Sequence, residues 1–129
     1  MTPDLDPALI PNDLRAQLLA NSAAAREGDP VPVLKLFNPV GPGTWLITEM
    51  DVDGDRLFGL CDLDMGFPEL GYVSLAEITS LLLPFGLAIE RDLHFTGYVP
   101  LSRWADISRR TGSVRSAEEI VRRLRTAAR

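Results

Sequence analysis

Two apolar runs, TWLITEM at residues 44–50 and RLFGLCDL at residues 56–63, face each other across Asp51-Val52-Asp53-Gly54-Asp55. Asp-Gly supplies the positive φ angles that tight hairpin turns demand, so the two runs predict an antiparallel pair. A third run, VLKLF at residues 33–37, lies between Pro30, Pro32 and the breaker-rich Asn38-Pro39-Val40-Gly41-Pro42-Gly43, and reads as a further strand beside the hairpin.

The hairpin's second strand opens the stretch 56–78, around which the chain is organised. Residues 64–71 hold two glycines and a proline among apolar side chains. Exposed, its Met65, Phe67 and Leu70 would form an apolar patch suited to a partner protein or small ligand; the safer expectation is that they fold in and close the core beneath the second helix, with Tyr72-Val73 adding a short bridge. Ser74 and Glu77 have capping-box spacing, which predicts a helix over residues 75–83 ended by Pro84 and Gly86.

Elsewhere, Leu14, Leu18 and Leu19 recur at helical spacing, with Asn12 or Asp13 at the start and Gly28 past the end, which predicts a helix over 13–26. LAIERDLHF at residues 87–95 alternates like a strand, a geometry that sets Asp92 and His94 on one face and Leu93 and Phe95 on the other. Ser102 is placed to cap a short helix ending near Gly112, and Ser116-Ala117-Glu118-Glu119 to start a final helix over 116–129. Pro3, Pro7 and Pro11 leave residues 1–11 as an arm, with residues 12–129 forming the domain.

These segments add up to a single α+β domain: a small antiparallel sheet of three to five strands packed with three to four helices, the first, second and last of them on one side. At 129 residues one core is enough. The lone cysteine, Cys61, rules out an internal disulfide or a multi-cysteine zinc cage and fits a reducing cytoplasm. No apolar run is long enough to span a bilayer, so no membrane partner is expected.

Charge is divided unevenly. Residues 1–102 carry a net −10, whereas residues 103–129 carry +5. The basic side chains Arg103, Arg109, Arg110, Arg115, Arg122, Arg123, Arg125 and Arg129 could follow a phosphate backbone, with Arg115, Arg122, Arg123 and Arg125 the foremost contacts. Against this, Glu118 and Glu119 precede Arg122 and Arg123 by one helical turn, the spacing of a solvated ion-paired face.

Chemistry is sparsely signalled. His94 is the one histidine, so histidine-dependent catalysis would pass through it, with Asp92, Asp62 or Glu69 supplying a carboxylate; a structural histidine is the plainer reading. Asp51, Asp53 and Asp55 around Gly54 partly match a calcium loop, but its twelfth position falls on Leu60, so a solvated turn is favoured. Cys61 is followed by the acidic Asp62 and Asp64 and reads as core. Glu69 and Tyr72, if they point outward, are candidates for binding. No cofactor or metal site is expected.

The stretches TWLITEMD, LFGLCDLDMGFPELGYVSLAEI and ERDLHF resemble the signature segments of the small bacterial family catalogued as domain of unknown function 2958. The resemblance covers roughly residues 14–101 and implies a single-domain protein of the kind often encoded on plasmids and integrative elements. It transfers no activity and no catalytic residue. Its recurring segment supplies candidate positions only: Trp45, Glu49, Cys61, Asp62, Gly66, Phe67, Pro68, Glu69, Gly71, Tyr72, Asp92 and His94. The resulting expectation is a noncatalytic binding or accessory module with a protein or nucleic-acid partner, and the alternative is a small hydrolase or metal-assisted enzyme using His94.

Overall fold

The Asp-Gly turn folds as its residues require. Gly54 lies at φ 76°, and Asp53 Oδ1 accepts the amides of Asp55 and Arg56 at 2.8 and 3.1 Å. Strand β2 (Thr44–Met50) thereby pairs antiparallel with β3 (Arg56–Asp62). In this computed structural model, which describes residues 9–24 and 28–127, β1 (Leu34–Phe37) joins the free side of β2, β4 (Glu69–Ser74) pairs with β3, and the two-residue β5 (Glu90–Arg91) pairs with β1. All five strands are antiparallel, in the order β4-β3-β2-β1-β5.

Alternation along the strands makes two apolar faces, and each buries its own core. Leu34, Leu36, Trp45, Ile47 and Leu57 pack with Leu18 of α1 (Asn12–Ala23) and Ile78 of α2 (Leu75–Thr79). Leu46 and Leu60 point the other way, onto Trp104 of α3 (Leu101–Thr111) and Val114, Ala117 and Val121 of α4 (Val114–Ala127). The expected α+β domain is thus observed, with one correction. The last helix does not share a side with the first two: α1 and α2 cover one face, α3 and α4 the other. Strand alternation demands cover on both faces but does not say which helix supplies it.

Local departures have local causes. Helix α1 takes Pro11 as its N-cap and has no side-chain cap, so neither Asn12 nor Asp13 fills that position; residues 1–8 of the expected arm and 25–26 of the expected helix lie outside the described residues. In α2, Ser74 Oγ accepts the Glu77 amide at 3.2 Å as predicted, but the helix stops at Thr79. There Thr79 Oγ1 and Ser80 Oγ bond back to the carbonyls of Ala76 and Glu77, offering the backbone a competing way to end. The expected strand over 87–95 shrinks to β5 because Asp92 Oδ1 captures the His94 amide at 2.9 Å and turns the chain. Asp92 and His94 are therefore turn residues and not neighbours on a strand face. Ser102 lies inside α3 and is held by Asp29, which accepts both its amide and its hydroxyl.

The segment after β3 is the largest departure. Leu63, Met65 and Phe67 are exposed, Phe67 to 77 %, and in residues 63–70 only Pro68 is buried. Core closure by this loop is not what forms. Residues 69–74 are instead a full edge strand, whose pairing with β3 leaves the apolar side chains ahead of it in solvent.

Candidate binding surface

His94 is exposed and lines a small cavity of about 130 Å³ with Tyr98, Trp104, Glu118 and Arg122. Asp92, which also lines it, is occupied: beyond the His94 amide, its Oδ2 lies 3.5 Å from Lys35 Nζ. Lys35 Nζ in turn donates to Glu118 Oε1 at 2.8 Å, fastening α4 to β1. Asp62 and Glu69 do not line this cavity. Asp62 is buried, with Oδ1 on the Asp64 amide and Oδ2 on the Val114 amide. Glu69 is exposed at the start of β4, opposite Cys61. Hence Asp92 and His94 come together, whereas Asp62 and Glu69 stand apart from them.

The hairpin acids also have structural partners. Asp55 Oδ1 accepts the Ala76 amide at 2.7 Å and its Oδ2 accepts Ser74 Oγ at 2.8 Å, which clamps the turn to α2. The two amides held by Asp53 keep its carboxyl below the ordinary range, since they stabilise the charged form. Among the described residues no group of three or more histidine, cysteine, aspartate or glutamate side chains is arranged to hold a metal. The Cys61 thiol is pushed up to about 11, chiefly by burial and further by the charge of Glu69 across the strand pair.

On the basic tail, Arg122 and Arg123 both approach Glu119, at 3.6 and 3.5 Å, while Glu118 turns inward to Lys35. Arg115 and Arg125 are exposed on the same helix.

Two features take a placement that the sequence patterns do not set. The first is the outer side of β4. Among the described residues it has no strand neighbour, and Leu63, Met65, Phe67, Leu70 and Tyr72 are exposed along it and the preceding loop. Tyr72 tilts against Phe58 with ring centroids 5.0 Å apart, and the Arg56 guanidinium stacks 3.9 Å above its ring.

The second is Glu49. A bulge at Thr48 offsets the β2–β3 register, so that Ile47 opposes Gly59 and Glu49 opposes Phe58. The extra residue turns Glu49 onto the α3 face, 8 % exposed, where it lines a cavity of about 220 Å³ with Phe58, Leu70, Leu101, Pro30 and Asp29. No side chain among the described residues bonds or ion-pairs with its carboxylate. Strict alternation from Trp45 would have sent Glu49, a candidate position by the family resemblance, to the opposite face.

A family model described as protein of unknown function (DUF2958) matches residues 9–115. The chain belongs to this family. The DUF2958 match takes in the whole sheet, the β4 edge, Glu49 and its cavity, whereas Arg122, Arg123 and Arg125 lie beyond it. No curated protein and no solved structure matches the chain. No helix among the described residues is long and apolar enough to cross a membrane.

Proposed function

We propose that this DUF2958 chain is a noncatalytic binding module, an accessory of mobile genetic elements acting in the cytoplasm, and that it docks a protein partner by strand addition along β4. The observation that carries the reading is the state of that edge. Unpaired strand edges are normally blunted by charge, proline or a covering element. Within β4 the one charge is Glu69, there is no proline, and the apolar side chains of Phe67 and Leu70 beside it are exposed. A partner strand would pair along the outer side of β4 while its side chains covered those residues.

The other readings have less support. Arg122 and Arg123, two of the arginines for a phosphate backbone, share Glu119, and for a hydrolase centred on His94 the nearby carboxylates are engaged, Asp92 with the His94 amide and Glu118 with Lys35. The test places a photoreactive phenylalanine analogue at Phe67 and, as a control, at Val52 in the hairpin turn. One protein adduct from position 67 and none from 52, with slowed hydrogen exchange along β4 in the complex, supports the proposal. Absence of an adduct at 67, with salt-sensitive nucleic-acid retention lost on Arg115→Gln, Arg123→Gln and Arg125→Gln, overturns it.

A further inference from the structure

We propose that the strand received by β4 belongs to a second copy of this chain, paired antiparallel about a twofold axis at Gly71 so that the two sheets become one. This names the partner of the docking edge and rests on that reading. The direction of the backbone groups sets what the edge can accept. The Leu75 amide donates to Asp55 O at 2.8 Å, and Asp55 with Leu75 continues the register in which Arg56 opposes Ser74. Bonded pairs recur at every second residue of an antiparallel ladder, so Val73, Gly71 and Glu69 turn their amides and carbonyls toward β3, and Leu70, Tyr72 and Ser74 turn theirs to the other side. A strand laid on that side bonds to these three residues.

Two copies of β4 can meet about an axis at Leu70, Gly71 or Tyr72, since registers centred nearer either end run off the strand or into α2. Charge separates the three. Pairing about Leu70 sets one Glu69 diagonal to the other, about 7–8 Å away, and places Pro68, which has no amide, opposite Tyr72. Pairing about Tyr72 sets two rings directly opposite that each carry a stacked Arg56 guanidinium, and like charges so placed repel. Pairing about Gly71 avoids both. Glu69 then falls opposite Val73 of the second copy, and the two Glu69 are out of step by about 13 Å along the strands, beyond the roughly 10 Å over which exposed charges are felt.

Packing selects the same register. Leu70 and Tyr72 share a face with Leu60 and Phe58, and about Gly71 each Leu70 lies against Tyr72 of the other copy, giving two pairs of aliphatic and aromatic side chains. Tyr72 is held against Phe58 and beneath Arg56, so it presents a fixed ring. The axis itself passes through a pair without hydrogen bonds, where backbones approach most closely, and the residue there is a glycine whose added Cβ would meet nothing of its own chain within 4 Å. Phe67, 77 % exposed, falls toward Leu75 of the second copy and with Met65 extends the interface toward the roughly 1,000 Å² that a biological one clears. A twofold contact uses the same edge of both chains and closes, while the opposite edge, β5, is only two residues long.

The full chain is followed by sedimentation velocity from micromolar to millimolar concentration, as the parent, as Leu70→Lys and as Phe67→Asp, the last at a site too exposed to disturb the monomer. A reversible dimer is expected, weakened at least about tenfold by either charge with the monomer's Tm retained. Register is read by oxidising Gly71→Cys and Glu69→Cys, each combined with Cys61→Ser to remove the thiol opposite position 69. Gly71→Cys should give a disulfide-linked dimer, since α-carbons about 4.5 Å apart lie within disulfide reach, and Glu69→Cys should not. A chain that stays monomeric, a dimer unmoved by both Leu70→Lys and Phe67→Asp, or cross-linking through Glu69→Cys as readily as through Gly71→Cys overturns the proposal. The photoreactive analogue at Phe67 separates its failure from that of the docking reading. A monomeric chain that still captures a different protein there removes the second copy and leaves strand addition standing, whereas a monomeric chain with no adduct removes both.

Discussion

Asp62 Oδ2 accepts the backbone amide of Val114 at 2.7 Å, joining the end of β3 to the first residue of α4 across 52 positions of sequence. The other carboxylate oxygen holds the Asp64 amide at 2.8 Å, where the chain takes a positive φ of 61°. A sequence candidate for catalysis thus acts as a distant helix cap. Asp62→Ala would leave a buried amide unsatisfied and uncap α4, and is expected to cost about 2 kcal/mol or more in urea unfolding. Asp62→Asn, which retains one acceptor, should cost less.

Gly59 and Gly71 are directly opposite on β3 and β4 but are not equivalent. A Cβ on Gly59 would lie 1.9 Å from Leu46 O and 2.9 Å from Ile47 Cα, both backbone atoms of β2 that cannot move without breaking the sheet. A Cβ on Gly71 meets nothing within 4 Å. Gly59→Ala is therefore expected to destabilise by about 3 kcal/mol, the upper end of overpacking costs, or to prevent folding. Gly71→Ala should stay within about 0.5 kcal/mol of the parent by the same thermal unfolding measurement.

That contrast bears on how far the sequence could be read. The hairpin, β1 and the Ser74 cap were legible because their causes are local: Asp53-Gly54, a bounded apolar run, and a serine three residues before the amide it accepts. The partition of helices between the faces was not, since Leu46 and Ile47 call for cover on opposite sides without naming it. Nor was the exposure of Met65 and Phe67, because only the pairing of β4 with β3 carries them away from the core. The face that Glu49 occupies was hidden by a single bulged residue. The strand face expected to carry Asp92 and His94 is instead a turn, in which the Asp92 carboxylate holds the His94 backbone amide. The partners of Asp62 and Lys35 lie 52 and 83 residues away, on α4. A one-dimensional pattern carries no information about such pairs.

The raised pKa of Cys61 yields a pH dependence whose sign can be stated. In the unfolded chain the thiol ionises near its ordinary 9.0, whereas in the folded chain it holds its proton to about 11. Between those values the unfolded state binds fewer protons, so stability falls as pH rises through the window and is unaffected by this group below it. Cys61→Ser, or Cys61→Ala, should remove that part of the alkaline loss in unfolding curves recorded across pH 9.0 to about 11. Native protein should also alkylate slowly with iodoacetamide near neutral pH, and at the rate of a free thiol once unfolded.

The basic tail cannot be probed by removing it. Val114, Ala117 and Val121 are fully buried and pack in the core that contains Leu60 and Trp104, so deletion of residues 112–129 strips one face of the sheet. Glu118, which binds Lys35, would go with them. The truncated chain is expected to lose cooperative unfolding and to bind a dye for exposed apolar surface, whatever the role of its arginines. Neutralisation is the cleaner probe. Arg115, Arg123 and Arg125 are exposed, and the Arg123–Glu119 pair at 3.5 Å is a solvated one of the kind that contributes between about 0 and 1 kcal/mol. The combined Arg115→Gln, Arg123→Gln and Arg125→Gln variant should unfold within about 1 kcal/mol of the parent. A larger loss in chemical denaturation would mean that these side chains support the packing of α4, and charge could no longer be separated from fold at this end of the chain.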